Sequence, residues 1–212
     1  MVMENAIIDI FDYFGTVIFA VTGGIRGRKS HLDLLGVMVL ACVVGVGGGI
    51  FRDLCIGAVP VTAISHESYL ICCMVTGCCV FYWGKSLDNI PNIITYLDAV
   101  GLGVFTVLGA AKGFECGITP VGIVLAGVVT AVGGGVVRDI MVGTVPVVLK
   151  SDFYATASLI GGCIYLLLRQ FTPLPQGMIF FGVAGFVTGI RILAWRFRFH
   201  LPRAEEFASG KH

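Results

Sequence analysis

Two stretches of this chain place charge inside apolar sequence that has no ordinary use for it. Residues 46–61 read VGGGIFRDLCIGAVPV and residues 132–147 read VGGGVVRDIMVGTVPV. At a constant offset of 86, Gly47, Gly48, Gly49, Arg52, Asp53, Gly57 and Pro60 fall on Gly133, Gly134, Gly135, Arg138, Asp139, Gly143 and Pro146. Glycine in a helix interior is about 1 kcal/mol worse than alanine. A charge at the centre of a bilayer costs at least about 2.5 kcal/mol. Bearing both penalties at matched positions points to chemistry. Three consecutive glycines can unwind a helix and release main-chain carbonyls, which are ligands for a weakly dehydrated K⁺ or Na⁺. The predicted pathway is therefore a helix break at Gly47–Gly49 and at Gly133–Gly135, with a monovalent cation at carbonyls near Gly47 and Gly133. The competing use of glycine is close packing of helices, which suits isolated residues such as Gly15 and Gly101.

The charges need partners. Side chains adjacent in a helix do not face each other, so Arg52–Asp53 and Arg138–Asp139 are not expected to be self-contained pairs. Asp12 and Asp98 are related by the same offset. The expectation is an Asp12–Arg52 contact in one half and an Asp98–Arg138 contact in the other, with Asp53 and Asp139 free to face water or a cation. The bland reading is that these pairs only fix helix register. Lys112, equivalent to Arg26, is either a vestibule charge or a headgroup anchor; for Arg26, beside Arg28 and Lys29, the anchor is expected.

The elements that position these groups follow from composition. The 212 residues are 57% hydrophobic and 13% charged, where a soluble domain is roughly 25% charged. Mean hydropathy is +0.94. This is the composition of a multi-pass membrane protein of all-α class. Spans of about 20 apolar residues are read at roughly 7–25, 34–59, 68–84, 93–111, 118–145, 154–170 and 177–195, seven in all. The first carries no basic leader and is expected to be retained. Lys and Arg concentrate on the side of the odd-numbered loops and the tail, with only Lys112 and Arg169 opposite. That bias puts the N-terminus outside and the C-terminus in the cytoplasm, in the cell inner membrane. The repeat extends to Asp12, Gly15, Phe19, Gly23 and Gly27 against Asp98, Gly101, Phe105, Gly109 and Gly113, with about 18 identities between 12–62 and 98–148. A unit of three spans enters the membrane from opposite sides in its two copies. The predicted architecture is repeat one about 6–84, repeat two about 93–170, a seventh helix about 177–195, and a cytoplasmic tail over 196–212. Inverted repeats of this kind place substrate or ion sites near the midplane.

Several functions are disfavoured. No Gly-x-Ser-x-Gly, nucleotide-binding loop or His-Glu-x-x-His occurs, and the glycine triplets lie in lipid-length apolar runs, not between a strand and a helix. No enzyme activity and no cofactor are expected beyond bound K⁺ or Na⁺. A net charge of +1 argues against nucleic acid. The eight cysteines lie mostly in apolar segments without histidine at ligand spacing, and read as small buried residues.

On these motifs the chain resembles the prokaryotic members of the trimeric intracellular cation (TRIC) channel family, over about residues 6–195. The resemblance implies a homotrimer in a lipid bilayer, each protomer holding its own pore for monovalent cations, lined by the second and fifth spans. Some relatives carry the label of glycine transporter. The resemblance does not extend to the Lys-Glu-Val stretch of the animal members, because the nearest text here is Lys112-Gly113-Phe114-Glu115. Two readings follow: a K⁺/Na⁺ channel, and an alternating-access carrier of a small zwitterion such as glycine. A structural scaffold is the third and fits the buried charges poorly.

Overall fold

The computed structural model describes residues 2–150 and 153–197. Ten helices occur among them: α1 Val2–Lys29, α2 Leu34–Ile56, α3 Thr62–Ser65, α4 Ser68–Trp83, α5 Lys85–Asp88, α6 Ile93–Glu115, α7 Pro120–Met141, α8 Val147–Lys150, α9 Ala155–Phe171 and α10 Gln176–Phe197. Five of these, α1, α2, α6, α7 and α10, are long and apolar enough to cross a membrane. The apolar helices α4 and α9 have 16 and 17 residues. At 1.5 Å per residue they are shorter than a full hydrocarbon core of about 30 Å. Each follows a one-turn helix, α3 or α8. The tail expected over 196–212 lies outside the described residues beyond Phe197.

Helix starts are fixed locally. Asp33 caps α2 by accepting from the Gly36 N–H at 2.7 Å. Thr119 caps α7 by accepting from Gly122 at 3.2 Å, with Pro120 in the first turn. Both residues satisfy orphan donors at a helix N-terminus. The ends also match. Gly57 and Gly143 adopt φ of 72° and 70°, the left-handed region that glycine enters without penalty. That turn lets the Ala58 N–H reach the Asp53 carbonyl and the Thr144 N–H the Asp139 carbonyl, both at 2.8 Å.

Helical backbone runs without interruption through both glycine triplets. The predicted breaks at Gly47, Gly48, Gly49 and at Gly133, Gly134, Gly135 are therefore not formed, and no unwound carbonyls are presented near Gly47 or Gly133. The glycines serve a crossing instead. A Cβ on Gly48 would collide with the Thr130 carbonyl oxygen, and one on Gly134 with that of Val44. A Cβ on Gly133 would lie 3.0 Å from the Gly48 Cα. Here α2 and α7 touch backbone to backbone, as small residues permit in membranes. Around this crossing, Phe105 packs on Gly15 and Phe19 on Gly101, with ring centroids 5.1 Å apart.

The central helix α6 is buried along most of its length from Asp98 to Gly113. Helix α10 packs against α6 and α9. A Cβ added at Gly182, Gly185 or Gly189 would meet nothing within 4 Å, so this face of α10 is open within the protomer. Phe181, Phe186 and Leu193 are exposed on the same helix.

Candidate functional site

The repeated charge motifs end α2 and α7, and each aspartate does the same local work. Asp53 Oδ2 accepts from the Thr62 N–H at 2.9 Å, and Asp139 Oδ2 accepts from the Val147 N–H at 2.9 Å. Thr62 and Val147 are the first residues of α3 and α8. The carboxylates thus cap the helix that follows, where the N-terminal dipole favours negative charge. Their other oxygens take the neighbouring arginine: Arg52 Nε to Asp53 Oδ1 at 2.9 Å, and Arg138 Nε to Asp139 Oδ1 at 3.0 Å. Two expectations are corrected by this. Adjacent Arg and Asp do pair, because the long arginine side chain folds back across the end of its helix. Asp53 and Asp139 do not face water: they are 0% and 2% exposed, with both oxygens engaged.

The arginines differ beyond that shared pair. Arg138 also donates to Asp98 through two nitrogens, at 2.6 and 3.0 Å, and to the Thr22 hydroxyl at 3.1 Å. This places Asp98 against Arg138. The Asp12–Arg52 contact is not formed. Asp12 accepts from the Tyr69 hydroxyl at 2.9 Å, and among the described residues Arg52 is held by Asp53, with Nη2 at 2.7 Å from Oδ1. Tyr69 is fixed in turn by stacking on Tyr13 at 4.4 Å, and the Tyr13 hydroxyl meets Ser68 at 2.6 Å.

Two polar cavities enter the bundle from opposite ends. One, of about 330 Å³, lies at the amino-terminal part of α1 and the carboxy-terminal part of α6; its lining includes Asp12, Arg52, Tyr69 and Lys112. A narrow extension of about 30 Å³ reaches Thr16, Gly49, Phe105 and Thr130, room for a water or two. The other cavity, of about 270 Å³, lies at the opposite ends of the same helices and includes Arg26, Asp98, Arg138 and Asp139. Arg26 is thus no headgroup anchor: it lines this cavity and donates to the Thr144 hydroxyl at 3.3 Å. Between the cavities stand the Gly48–Gly133 crossing, Phe19 and Phe105.

Sequence reasoning missed Tyr69, Tyr154, Thr22 and Arg191. The Tyr154 ring is buried under the Arg191 guanidinium, 4.8 Å away, and its hydroxyl has no hydrogen-bond partner among the described residues. A signal existed: beyond the prolines the repeat slips by one residue, and at an offset of 85 Tyr69, Gly77 and Cys78 fall on Tyr154, Gly162 and Cys163. Thr62 and Val147, the residues capped by the two aspartates, share that offset.

An all-helical membrane protein with polar cavities at both ends of one bundle has the build of a transport protein. The sequence model of a family described as Glycine transporter matches residues 9–85 and 95–170. A structure of the TRIC channel orthologue of Rhodobacter sphaeroides superimposes with a TM-score of 0.87 at 31% identity, covering 91% of this chain and 99% of that one. A structure described as explaining conductance through TRIC cation channels gives 0.83 at 35% identity, covering 92% and 96%. The UPF0126 inner membrane protein YadS of Escherichia coli K12 is 37% identical over 155 residues, 73% of this chain and 75% of that protein. The chain belongs to the family of prokaryotic TRIC channels, whose sequence model carries the glycine-transporter description.

Proposed function

We propose that the protein is a monovalent-cation channel, passing K⁺ and Na⁺ through a pathway inside each protomer. The observation that carries this reading is the pair of polar cavities approaching from opposite ends and separated by the α2–α7 crossing. It is supported by the likeness to TRIC cation channels. We read α1, α2 and α4 as one three-span unit, α6, α7 and α9 as its inverted copy, and α10 as the seventh span. The reciprocal packing of Phe105 on Gly15 and Phe19 on Gly101 supports a two-fold relation between the units. The N-terminus is assigned to the outside, so the Lys112 cavity is the outer mouth and the Arg26 cavity the inner one. In the narrow part a partly dehydrated ion would meet oxygens of Asp12, Thr16 and Thr130 in place of freed glycine carbonyls. The open glycine face of α10 is assigned to contacts between protomers of a homotrimer, as the Rhodobacter orthologue is named trimeric.

The family description supports a second reading, an alternating-access carrier of glycine. Rate separates the two, since a carrier must change conformation on the microsecond-to-millisecond scale in every cycle. The test is single-channel recording of the purified protein in planar bilayers under a KCl gradient, with and without glycine. Discrete steps reversing near the K⁺ potential are expected. Silence there, with saturable glycine uptake into liposomes, overturns the channel reading.

A further inference from the structure

The two cavities use the same sequence positions but carry opposite net charge. The outer lining sets Asp9, Asp12 and Glu115 against Arg52 and Lys112. The inner lining sets Arg26, Lys29, Arg138 and Arg191 against Asp98 and Asp139. The first is net negative and the second net positive. Under the repeat offset Asp12 matches Asp98, Arg52 matches Arg138, and Lys112 matches Arg26. The polarity arises at other positions. Lys29 falls on Glu115, a full charge reversal, and Asp9 falls on Thr95; all four line their own cavity. Arg191, from α10, adds a further cation on the inner side. The start of α6 also opens into the inner cavity through Ile93, Ile94 and Thr95, and Asn92 gives that helix no side-chain cap. Its N-terminal dipole adds positive potential there.

We infer that this polarity makes conduction directional: cations enter faster from the Glu115 mouth than from the Lys29 mouth, and this charge-reversed pair sets the sense of rectification. The inference rests on the channel reading. Entry rate follows the cation concentration at the mouth of entry, and mouths walled by low-dielectric material focus the field of their charges. A unit charge about 7 Å away across water changes that concentration about threefold. Lys29 and Glu115 are both exposed, in the last turns of α1 and α6, so the pair acts through water and tolerates substitution. Both sit at helix C-termini, so those dipoles are alike and do not produce the difference.

The test is current against voltage for the full chain in symmetric KCl, in excised patches where orientation is fixed. Current driven from the Glu115 mouth is expected to exceed the opposite current about two- to threefold at equal and opposite voltages. The double exchange Lys29→Glu with Glu115→Lys is expected to reverse the sense and shrink the ratio, since the outer lining becomes the more positive. Raising salt toward about 1 M shortens the screening length to about 3 Å and is expected to straighten the wild-type curve. A linear wild-type curve at low salt, or an exchange variant that keeps the original sense, overturns the inference. An absence of any unitary current is a different failure: it removes the channel reading before rectification is measured.

Discussion

Placed position against position, the two charge clusters differ in what holds the first aspartate of each. In the second repeat Asp98 grips Arg138; in the first its equivalent Asp12 is held by Tyr69, and Arg52 pairs with Asp53. The tyrosine of the second repeat, Tyr154, is buried with its hydroxyl unpartnered among the described residues. The same residue types at the same spacing therefore settle into two hydrogen-bond patterns. The difference tracks what covers them. Helix α10 lies over the second unit and brings Arg191 onto Tyr154, and Arg138 is 1% exposed against 8% for Arg52. A more deeply desolvated arginine demands more of its partners. A helix packed mainly on one repeat can thus break the equivalence of matched positions.

The largest break of this comparison comes from removing the arginines. Arg138→Ala leaves Asp98 buried without its cation and is expected to destabilise by about 3–5 kcal/mol, measured as a fall in the melting temperature of the detergent-solubilised protein. Arg52→Ala is expected to cost less, because it strands one buried carboxylate, Asp53, where Arg138→Ala strands two, Asp98 and Asp139. Equal losses would mean the two clusters are energetically alike despite their different bonds.

The tyrosines sharpen the contrast at smaller scale. Tyr69→Phe removes a hydrogen bond to a carboxylate, worth about 1.5–3 kcal/mol, and Tyr154→Phe removes a hydroxyl that bonds nothing among the described residues. The first is expected to lower the melting temperature and the second to leave it level or raise it. At the crossing, Gly48→Ala forces a Cβ onto the Thr130 carbonyl and is expected to cost about 1–3 kcal/mol. Gly47→Ala, with open space at its Cβ, serves as its neutral control in the same assay. Asp53→Asn and Asp139→Asn keep a capping oxygen for α3 and α8 but take a carboxylate from the arginine. Arg138 retains Asp98, so Asp139→Asn is the smallest effect, about 1 kcal/mol, and Asp53→Asn is expected to lower the melting temperature more, because it removes the carboxylate that pairs with Arg52. Equal shifts would show that the Asp98 pair does not compensate.

Much of this was legible in the sequence. The offset of 86 located Arg52, Asp53, Arg138 and Asp139 at matched ends of two helices, and Asp98 was correctly set opposite Arg138. The misreadings share a cause. Glycine triplets signal either a break or a close approach, and periodicity does not distinguish them; only the Thr130 and Val44 carbonyls lying against Gly48 and Gly134 do. Tyr69 went unread because the repeat slips by one residue after Pro60, which hides its match to Tyr154. Arg26, read as an anchor from its basic neighbours, faces a cavity because the roll of α1 is set by the helices against it.

What the sequence determined by itself is local. Hydrophobic run lengths set which segments form apolar helices, Gly57 and Gly143 set the turns that end two of them, and the repeat sets which residues are equivalent. These depend on backbone propensity and transfer energy, which are written residue by residue. What only the tertiary structure decided is which equivalent groups meet. Asp12 and Asp98 occupy equivalent positions in the repeat, yet one bonds a tyrosine and the other an arginine. That choice depends on depth, coverage by α10 and the nearest competing donor, which are properties of the packed bundle and of no single stretch of chain.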